Sequence, residues 1–260
     1  MADAAAEFEQ ELEVLRTEAE AAAQFFYSYL TIYAVAGDHR PVQRLLNGSA
    51  LFWNTVLAGL QTSTFIVLGR ILDQSSAHNV NRVLKIAQSH PDIFSRPALG
   101  KRKQDNLKTP PEWLPEYLEA AYVPKAADFR RLRTHVQKQR RIYNDKYRDL
   151  RRKVFAHKEL TDPAAVSALF AKTNIRELQQ LLVFFSRLYD ALWQLFFNGR
   201  KPALVPRRYS LKRMRDRPSP PEIGRSIQER IAHEAEQFLM AAASAPQQRI
   251  AADAPQAARA

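Results

Sequence analysis

The sequence contains no cysteine, and this absence removes several classes of site at once. Disulfide bonds, thiolate zinc sites, iron–sulfur clusters and cysteine nucleophiles are excluded, and the chain is compatible with a reducing compartment. Glycine is also scarce, with 7 in 260 residues, which is about a third of average usage. Little glycine remains for tight hairpins or phosphate-cradling loops. We therefore expect an all-helical chain.

Several sequence motifs of known sites are also missing. The chain has no P-loop, no GxGxxG, no GxSxG, no HExxH and no EF-hand loop. Apart from His157, the histidines show neither metal-ligand spacing nor nearby sets of carboxylates: His39, His78, His90, His135 and His233. We predict neither a metal ion nor a cofactor.

Targeting and membrane signals are absent from the pattern as well. The first 23 residues are acidic and hold no continuous apolar block of the signal-peptide type. The most apolar windows, residues 51–72 and 178–197, are interrupted by polar and charged side chains. We expect a soluble cytoplasmic protein with no membrane partner.

Positive charge is in excess and unevenly distributed. Lys and Arg number 39 against 27 acids, so the formal net charge is +12 and the pI is about 10.0. Residues 125–158 carry thirteen bases and three acids, whereas the first 36 residues carry seven acids and one base. A cationic helix of this kind favours an anionic partner, with nucleic acid first among the candidates.

Helical periodicity divides the chain into blocks. It predicts a long amphipathic helix over 7–35, an apolar helix over 50–74 that is buried on several sides, and a single basic helix over 124–161. Residues 95–111 are loop-like, and a last apolar helix follows Asn174. The predicted organisation is a helical bundle over 1–199, a basic linker or arm over 200–220, and a C-terminal helix with a disordered tail over 221–260.

The end of the basic helix holds the most informative pattern, LRRKVFAHK at residues 150–158. An Arg followed after four to six residues by a His, near a helix end in an all-helical protein, resembles the signature of the HEPN superfamily of ribonucleases. The local phrase resembles its abortive-infection AbiU branch. The apolar helix that begins near FWN at 52–54 and closes in GRILD at 69–73 is similar to the second core helix of that branch. The resemblance covers about residues 20–198.

The resemblance places the signature arginine on Arg151 or on Arg152, with His157 as its partner. We favour Arg151 because of the phrase around it. The family usually has Asn, Asp or another polar residue directly after the arginine, whereas this chain has Arg152 there.

The implied fold is an all-α HEPN-like bundle with long antiparallel helices. The implied function is a metal-independent endoribonuclease that acts as a toxin or phage-defence effector, has RNA as its partner and forms a 2′,3′-cyclic phosphate. Such sites are composite and form across a homodimer, and an antitoxin protein is a further candidate partner. The residues expected to bind RNA beside the catalytic Arg151 and His157 are Arg148, Arg152, Lys153 and Lys158.

The residue types suit this chemistry. Metal-free RNA cleavage needs a base for the 2′-hydroxyl proton, a cation for the phosphate and an acid for the leaving oxygen. Imidazole titrates near neutral pH, and guanidinium presents a fork of donors that matches phosphate oxygens. On a straight helix, positions 151 and 157 lie about 9 Å apart along the axis and roughly 120° apart around it. One chain alone therefore places them poorly, in agreement with a dimer.

Other interpretations remain open on sequence grounds. Arg70 and Asp73 are expected to form a buried structural ion pair, because an Arg on an apolar helix needs a partner. The chain is alternatively a non-catalytic helical module that binds nucleic acid or protein, with the basic segment 200–217 as its main contact. A third interpretation is that the acidic first helix packs along the basic helix and neutralises it. If Arg151 and His157 are both buried against the bundle, the enzyme interpretation fails.

Overall fold

A computed structural model describes residues 4–104, 109–156, 159, 162–204, 210–216 and 226–245. These residues form helices and no strand, which confirms the all-α fold class. A 3₁₀ turn over Pro91–Phe94 and a π-helical turn over Arg151–Ala156 complete the regular structure. The α-helices are α1 (Ala4–Asp38), α2 (Arg40–Gly48), α3 (Ala50–Leu72), α4 (Val80–Ser89), α5 (Arg96–Gln104), α6 (Leu114–Ala120), α7 (Ala126–Lys146), α8 (Arg148–Leu150), α9 (Pro163–Ala171), α10 (Ile175–Asn198), α11 (Leu211–Arg215) and α12 (Ile227–Ser244).

Side-chain caps fix where several helices begin. The Asn79 side chain accepts hydrogen bonds from the first turn of α4, and Asp162 and Asn174 do the same at the starts of α9 and α10. Such caps satisfy amide groups that have no partner inside the helix. Ser49 precedes α3 but makes no side-chain cap.

The core is centred on α1, which packs against α3, α4, α10 and α12. Phe8 of α1 lies with its ring centroid 5.2 Å from that of Phe94 and 5.0 Å from that of Phe196. Phe129, at the start of α7, lies 5.4 Å from Phe94. This aromatic cluster joins α1, α7 and α10 in one continuous hydrophobic core.

The segment predicted as a loop, residues 95–111, contains a helix instead. α5 occupies Arg96–Gln104. The Ser95 side chain accepts a hydrogen bond from the first turn at 3.3 Å, and Pro97 lies in that turn, where its missing N–H costs nothing. Leu99 is buried, so tertiary packing stabilises a helix whose basic, glycine-containing sequence has a weak intrinsic preference.

Helix α3 is buried mainly along its second half, and Leu57 is the buried residue of its first half. Phe65, Leu68 and Leu72 belong to the core, whereas Leu51 is 84% exposed and Phe52 is 61% exposed. The expectation that this helix is covered on several sides is therefore wrong for its first turns. All-round apolarity identifies a core helix, but it does not show how far the neighbouring helices extend along it.

The same helix is long and apolar enough to cross a membrane by length and composition, with a mean hydropathy of 1.4. The bundle buries 44% of that window. One such helix is weak evidence for a span, because core helices of soluble proteins share these properties. Absence of a membrane partner and a cytoplasmic location stay predictions.

The basic helix is not one regular helix up to residue 161. α7 ends at Lys146, and after the short α8 the backbone forms the π-helical turn Arg151–Ala156. Within that turn, Phe155 stacks on Phe65 of α3 with ring centroids 5.0 Å apart. The straight-helix geometry assumed for this segment therefore does not hold, since a π turn closes i to i+5 rather than i to i+4.

Beyond α10, the arm and the last helix both contact the bundle. Part of the predicted arm forms α11, and there Arg215 donates to Asp38 at 2.7 Å and to Glu236 at 2.9 Å. These bonds tie α11 to the end of α1 and to α12, which itself packs against α1 and α2. Residues 205–209, 217–225 and 246–260 lie outside the described residues, so the tail stays a prediction, as do the domain boundaries.

Gly199 ends α10 in the left-handed region with φ 55°. A Cβ there would lie 2.7 Å from Leu99 Cδ2 and 2.8 Å from the Cβ of Ala121. Gly199→Ala should therefore lower the free energy of unfolding by about 2 kcal/mol or more, as measured by urea denaturation. The matched control is Gly59→Ala in α3, where a Cβ meets nothing within 4 Å and should stabilise by about 0.5–1 kcal/mol. Equal effects of the two changes would contradict this account of the α10 terminus.

Candidate active site

A polar cleft of about 540 Å³ lies between the end of α3 and one face of α7, α8 and the π-helical turn. Four arginines and one carboxylate are its charged lining groups, so the lining carries a net charge of +3. This volume is in the range of ligand-binding pockets. The lining residues are Leu72, Asp73, Gln74, Ser75, Arg140, Asn144, Arg148, Arg151 and Arg152.

Helical spacing explains how the cations reach one cleft. Arg140, Asn144, Arg148 and Arg151 follow one another at intervals of four, four and three residues, a spacing that places side chains on one face of a helix. Backbone hydrogen bonds from Tyr147 to Tyr143 and from Arg151 to Tyr147 continue that spacing past the end of α7. The face next to it is apolar and buried. The same periodicity that anchors the helix in the core therefore aligns guanidinium groups along the cleft.

Arg151 is held in place by two features of α3. Its Nη1 donates to Asp73 Oδ2 at 2.8 Å, and its side chain is 22% exposed. Gly69 lies one helical turn before Asp73, and a Cβ at that position would lie 2.7 Å from Arg151 Nε. The missing side chain at residue 69 thus makes room for the guanidinium, and the carboxylate one turn later orients it.

The groups around this contact are incompletely hydrogen-bonded. Arg151 Nε, Arg140 Nη1 and the hydroxyl of Tyr143 are buried and have no hydrogen-bond partner among the described residues. Burial and the nearby Asp73 carboxylate raise the pKa of Tyr143 far above its ordinary value, so this hydroxyl is neutral. Unpaired buried donors next to a cationic cleft favour an anion or ordered water as the missing partner. In the described part of the chain, no three His or carboxylate side chains cluster as metal ligands.

Only some of the predicted RNA-binding residues line the cleft. Arg148 and Arg152 line the cleft together with Arg151. Lys153 does not line it and instead donates to Asp149 at 3.0 Å. The two remaining predicted residues, His157 and Lys158, lie outside the described residues. Arg151 is partly exposed and therefore accessible. Burial of both Arg151 and His157 would have excluded an enzyme, and Arg151 is not buried in this way.

Arg70 and Asp73 do not form the expected buried ion pair. Arg70 is 48% exposed and pairs with Glu18 of α1 at 2.8 Å, whereas Asp73 pairs with Arg151. Arg70 lies in the last turn of α3 and Asp73 directly follows that helix, and the two side chains face different neighbours. Packing of α1 on one side of α3 and of the π-helical turn on the other separates them.

The acidic first helix does not neutralise the basic one. Most carboxylates of α1 pair with cations on α1 itself, α3, α4 and α11 or with His78 before α4, and none of these ion pairs joins α7 in the described structure. The interpretation in which α1 hides the positive ridge is therefore wrong for these residues. Arg140, Arg148 and Arg152 keep their charge available at the cleft.

Sequence reasoning missed Gly69, Arg140 and Asn144 as site residues. A glycine inside an apolar helix costs stability relative to alanine, so Gly69 called for a packing reason. The spacing of Arg140 and Arg148 on one face was also readable from the sequence. What the sequence did not contain is the partner of Asp73, because that contact depends on how α3 meets the π-helical turn.

Gly69→Ala should displace the Arg151 guanidinium while the fold persists. The clashing atoms belong to the flexible end of Arg151, and alanine favours a helix, so the free energy of unfolding should change by less than about 1 kcal/mol. The Nε–H signal of Arg151 in a nitrogen-15 NMR spectrum should shift. Gly59→Ala, ten residues earlier on α3, should leave that signal in place, and an identical spectrum for both variants would refute the role given to Gly69.

Comparison with known proteins identifies a family. The profile of the HEPN AbiU2 family matches residues 5–216, which is most of the chain and includes the whole cleft. No curated protein and no solved structure matches this chain. The match confirms the resemblance found at residues 52–73 and 150–158. The chain belongs to the AbiU2 family of the HEPN superfamily.

Proposed function

We propose that this AbiU2-family protein is a metal-independent endoribonuclease, active as a homodimer and used as a toxin or phage-defence effector. The observation that carries the proposal is the arginine-lined cleft, in which Asp73 and Gly69 hold Arg151 in one orientation. Family membership supports a role in abortive infection. RNA is the proposed substrate, and an antitoxin protein is a further proposed partner.

The proposed reaction is attack by a ribose 2′-hydroxyl on the adjacent phosphorus. The 2′-oxygen forms a bond to phosphorus, the bond from phosphorus to the 5′-oxygen breaks, and a general base takes the 2′-hydroxyl proton. A general acid protonates the leaving 5′-oxygen. The products are a 2′,3′-cyclic phosphate and a 5′-hydroxyl, and no electron acceptor or metal ion is required for the balance.

Arg151 would bind the phosphate that reacts. A guanidinium carries five N–H donors, and Asp73 accepts from only one of its nitrogens. Because the carboxylate fixes the side chain before substrate arrives, the remaining donors need little reorganisation as charge grows on the phosphate oxygens. Arg148 and Arg152, also in the cleft, would hold neighbouring phosphates.

His157 would supply the imidazole that moves the proton. A neutral imidazole serves as the base and an imidazolium as the acid, and both forms exist near neutral pH. The reaction needs one group of each kind. In the proposed homodimer, the two copies together supply two Arg and His sets to one composite site between them.

Purified protein should cleave labelled RNA in EDTA and leave 2′,3′-cyclic phosphate ends. His157→Ala should lower the cleavage rate about 10²–10⁴-fold, since it removes a general acid or base, and should leave RNA binding almost intact. The matched control is His135→Ala, which changes an exposed histidine on the same basic helix and should cleave at the wild-type rate.

Binding without cleavage by the wild-type protein would overturn the enzyme and favour the alternative, a non-catalytic helical module for nucleic acid or protein. Cleavage by His157→Ala at the wild-type rate would retain a ribonuclease but remove His157 from its site. Inhibition by EDTA would contradict the metal-independent mechanism.

A composite site predicts that activity depends on self-association. The specific cleavage rate should fall when the protein is diluted below the dissociation constant of the dimer, which analytical ultracentrifugation measures separately. The fall should follow the fraction of dimer at each concentration. A strictly monomeric protein that still degrades RNA at a concentration-independent specific rate would contradict the proposed arrangement.

A further inference from the structure

The cleft has two walls of different character. One wall is the basic face of α7, α8 and the π-helical turn, which contributes all four arginines. The other wall is the end of α3 and the turn that follows it, which contributes Leu72, Asp73, Gln74 and Ser75. No positively charged side chain of the second wall lines the cleft in the described structure.

The second wall is unfavourable for phosphate. The C-terminal end of α3 carries the negative end of the helix dipole, and the one charged side chain of this wall, Asp73, is a carboxylate that already occupies Arg151. A phosphate in the cleft is therefore attracted to the arginine wall and repelled from the α3 wall. This difference gives a bound strand one orientation, with its backbone on α7 and α8 and its sugars and bases toward α3.

Gln74 and Ser75 are the neutral polar groups on the α3 wall. Both side chains are exposed to solvent, although they line the cleft. Neither makes a hydrogen bond to another described residue, so both are free to bind a ligand. An amide and a hydroxyl each donate and accept hydrogen bonds, as does a ribose 2′-hydroxyl. DNA lacks that group, so contacts of this kind discriminate between the two nucleic acids.

We propose that Gln74 and Ser75 are specificity-determining residues, which contact the ribose and base of the nucleotide whose phosphate lies on the arginine wall and make the cleft prefer RNA to DNA. The inference rests on the proposed function, because it assumes that the ligand is a nucleic acid strand. It assigns the two walls separate tasks. The arginine wall supplies affinity for any phosphodiester backbone, and the α3 wall supplies the choice of sugar.

The test is binding of single-stranded RNA and DNA of the same base sequence, measured by fluorescence anisotropy in EDTA. The full-length protein carries His157→Ala so that the RNA stays intact. In this background, the double variant Gln74→Ala with Ser75→Ala should lose about tenfold in affinity for RNA, as expected for two lost hydrogen bonds, and should bind DNA unchanged.

Two sets of control variants separate the walls. Arg140→Gln and Arg148→Gln should weaken RNA and DNA binding alike. Each change removes one phosphate contact and should lower the slope of log affinity against log salt concentration by about 1. Gln43→Ala and Arg44→Gln change exposed residues of α2, outside the cleft, and should leave both affinities and the preference for RNA unchanged.

The inference is overturned if the Gln74 and Ser75 variant weakens RNA and DNA equally, if it changes neither affinity, or if the parent protein binds both strands equally well. These outcomes are independent of cleavage. A wild-type protein that cleaves RNA while the double variant keeps full selectivity would refute only the role of the α3 wall. A wild-type protein that selects RNA through these residues but never cleaves it would refute only the ribonuclease.

Discussion

The contact between Arg151 and the last turns of α3 is the constraint on which the cleft depends. Gly69 leaves space for the guanidinium, and Asp73 accepts its hydrogen bond at 2.8 Å. A long flexible side chain is thereby fixed before any ligand binds, which is the condition for electrostatic stabilisation without reorganisation. Stacking of Phe155 on Phe65 holds the π-helical turn against the same helix, so the backbone that carries Arg151 is fixed as well.

The ion pair with a carboxylate lowers the net positive charge of the cleft, and three further arginines keep that charge positive. Arg140 and Arg148 reach the same cleft from one helical face, and Arg152 joins them. Glu18 and Glu7 of α1 pair with cations that lie away from α7, namely Arg70 and Arg82. The arginines of the cleft therefore receive no counter-charge from α1, which leaves an external anion as their partner.

Local patterns predicted α1, α3 and α10. The start of α10 was predictable because the Asn174 cap acts within one turn. The choice of Arg151 as a site residue also came from the sequence, through its resemblance to the HEPN signature. The partners of Arg70 and Asp73 could not be predicted from the sequence. Their spacing suggests a pair with each other, whereas packing gives each a different partner. The helical state of α5 and the exposed first turn of α3 likewise depend on tertiary contacts that no local pattern records.

The most direct test of this account is a double-mutant cycle between Asp73 and Arg151 on the rate of RNA cleavage. If Asp73 acts by orienting the guanidinium, Asp73→Ala should lower kcat/KM at least about tenfold in the wild-type background. It should cause no further loss when Arg151 is already alanine. Equal losses in both backgrounds, or no loss in either, would show that the two side chains act independently and would contradict the central claim.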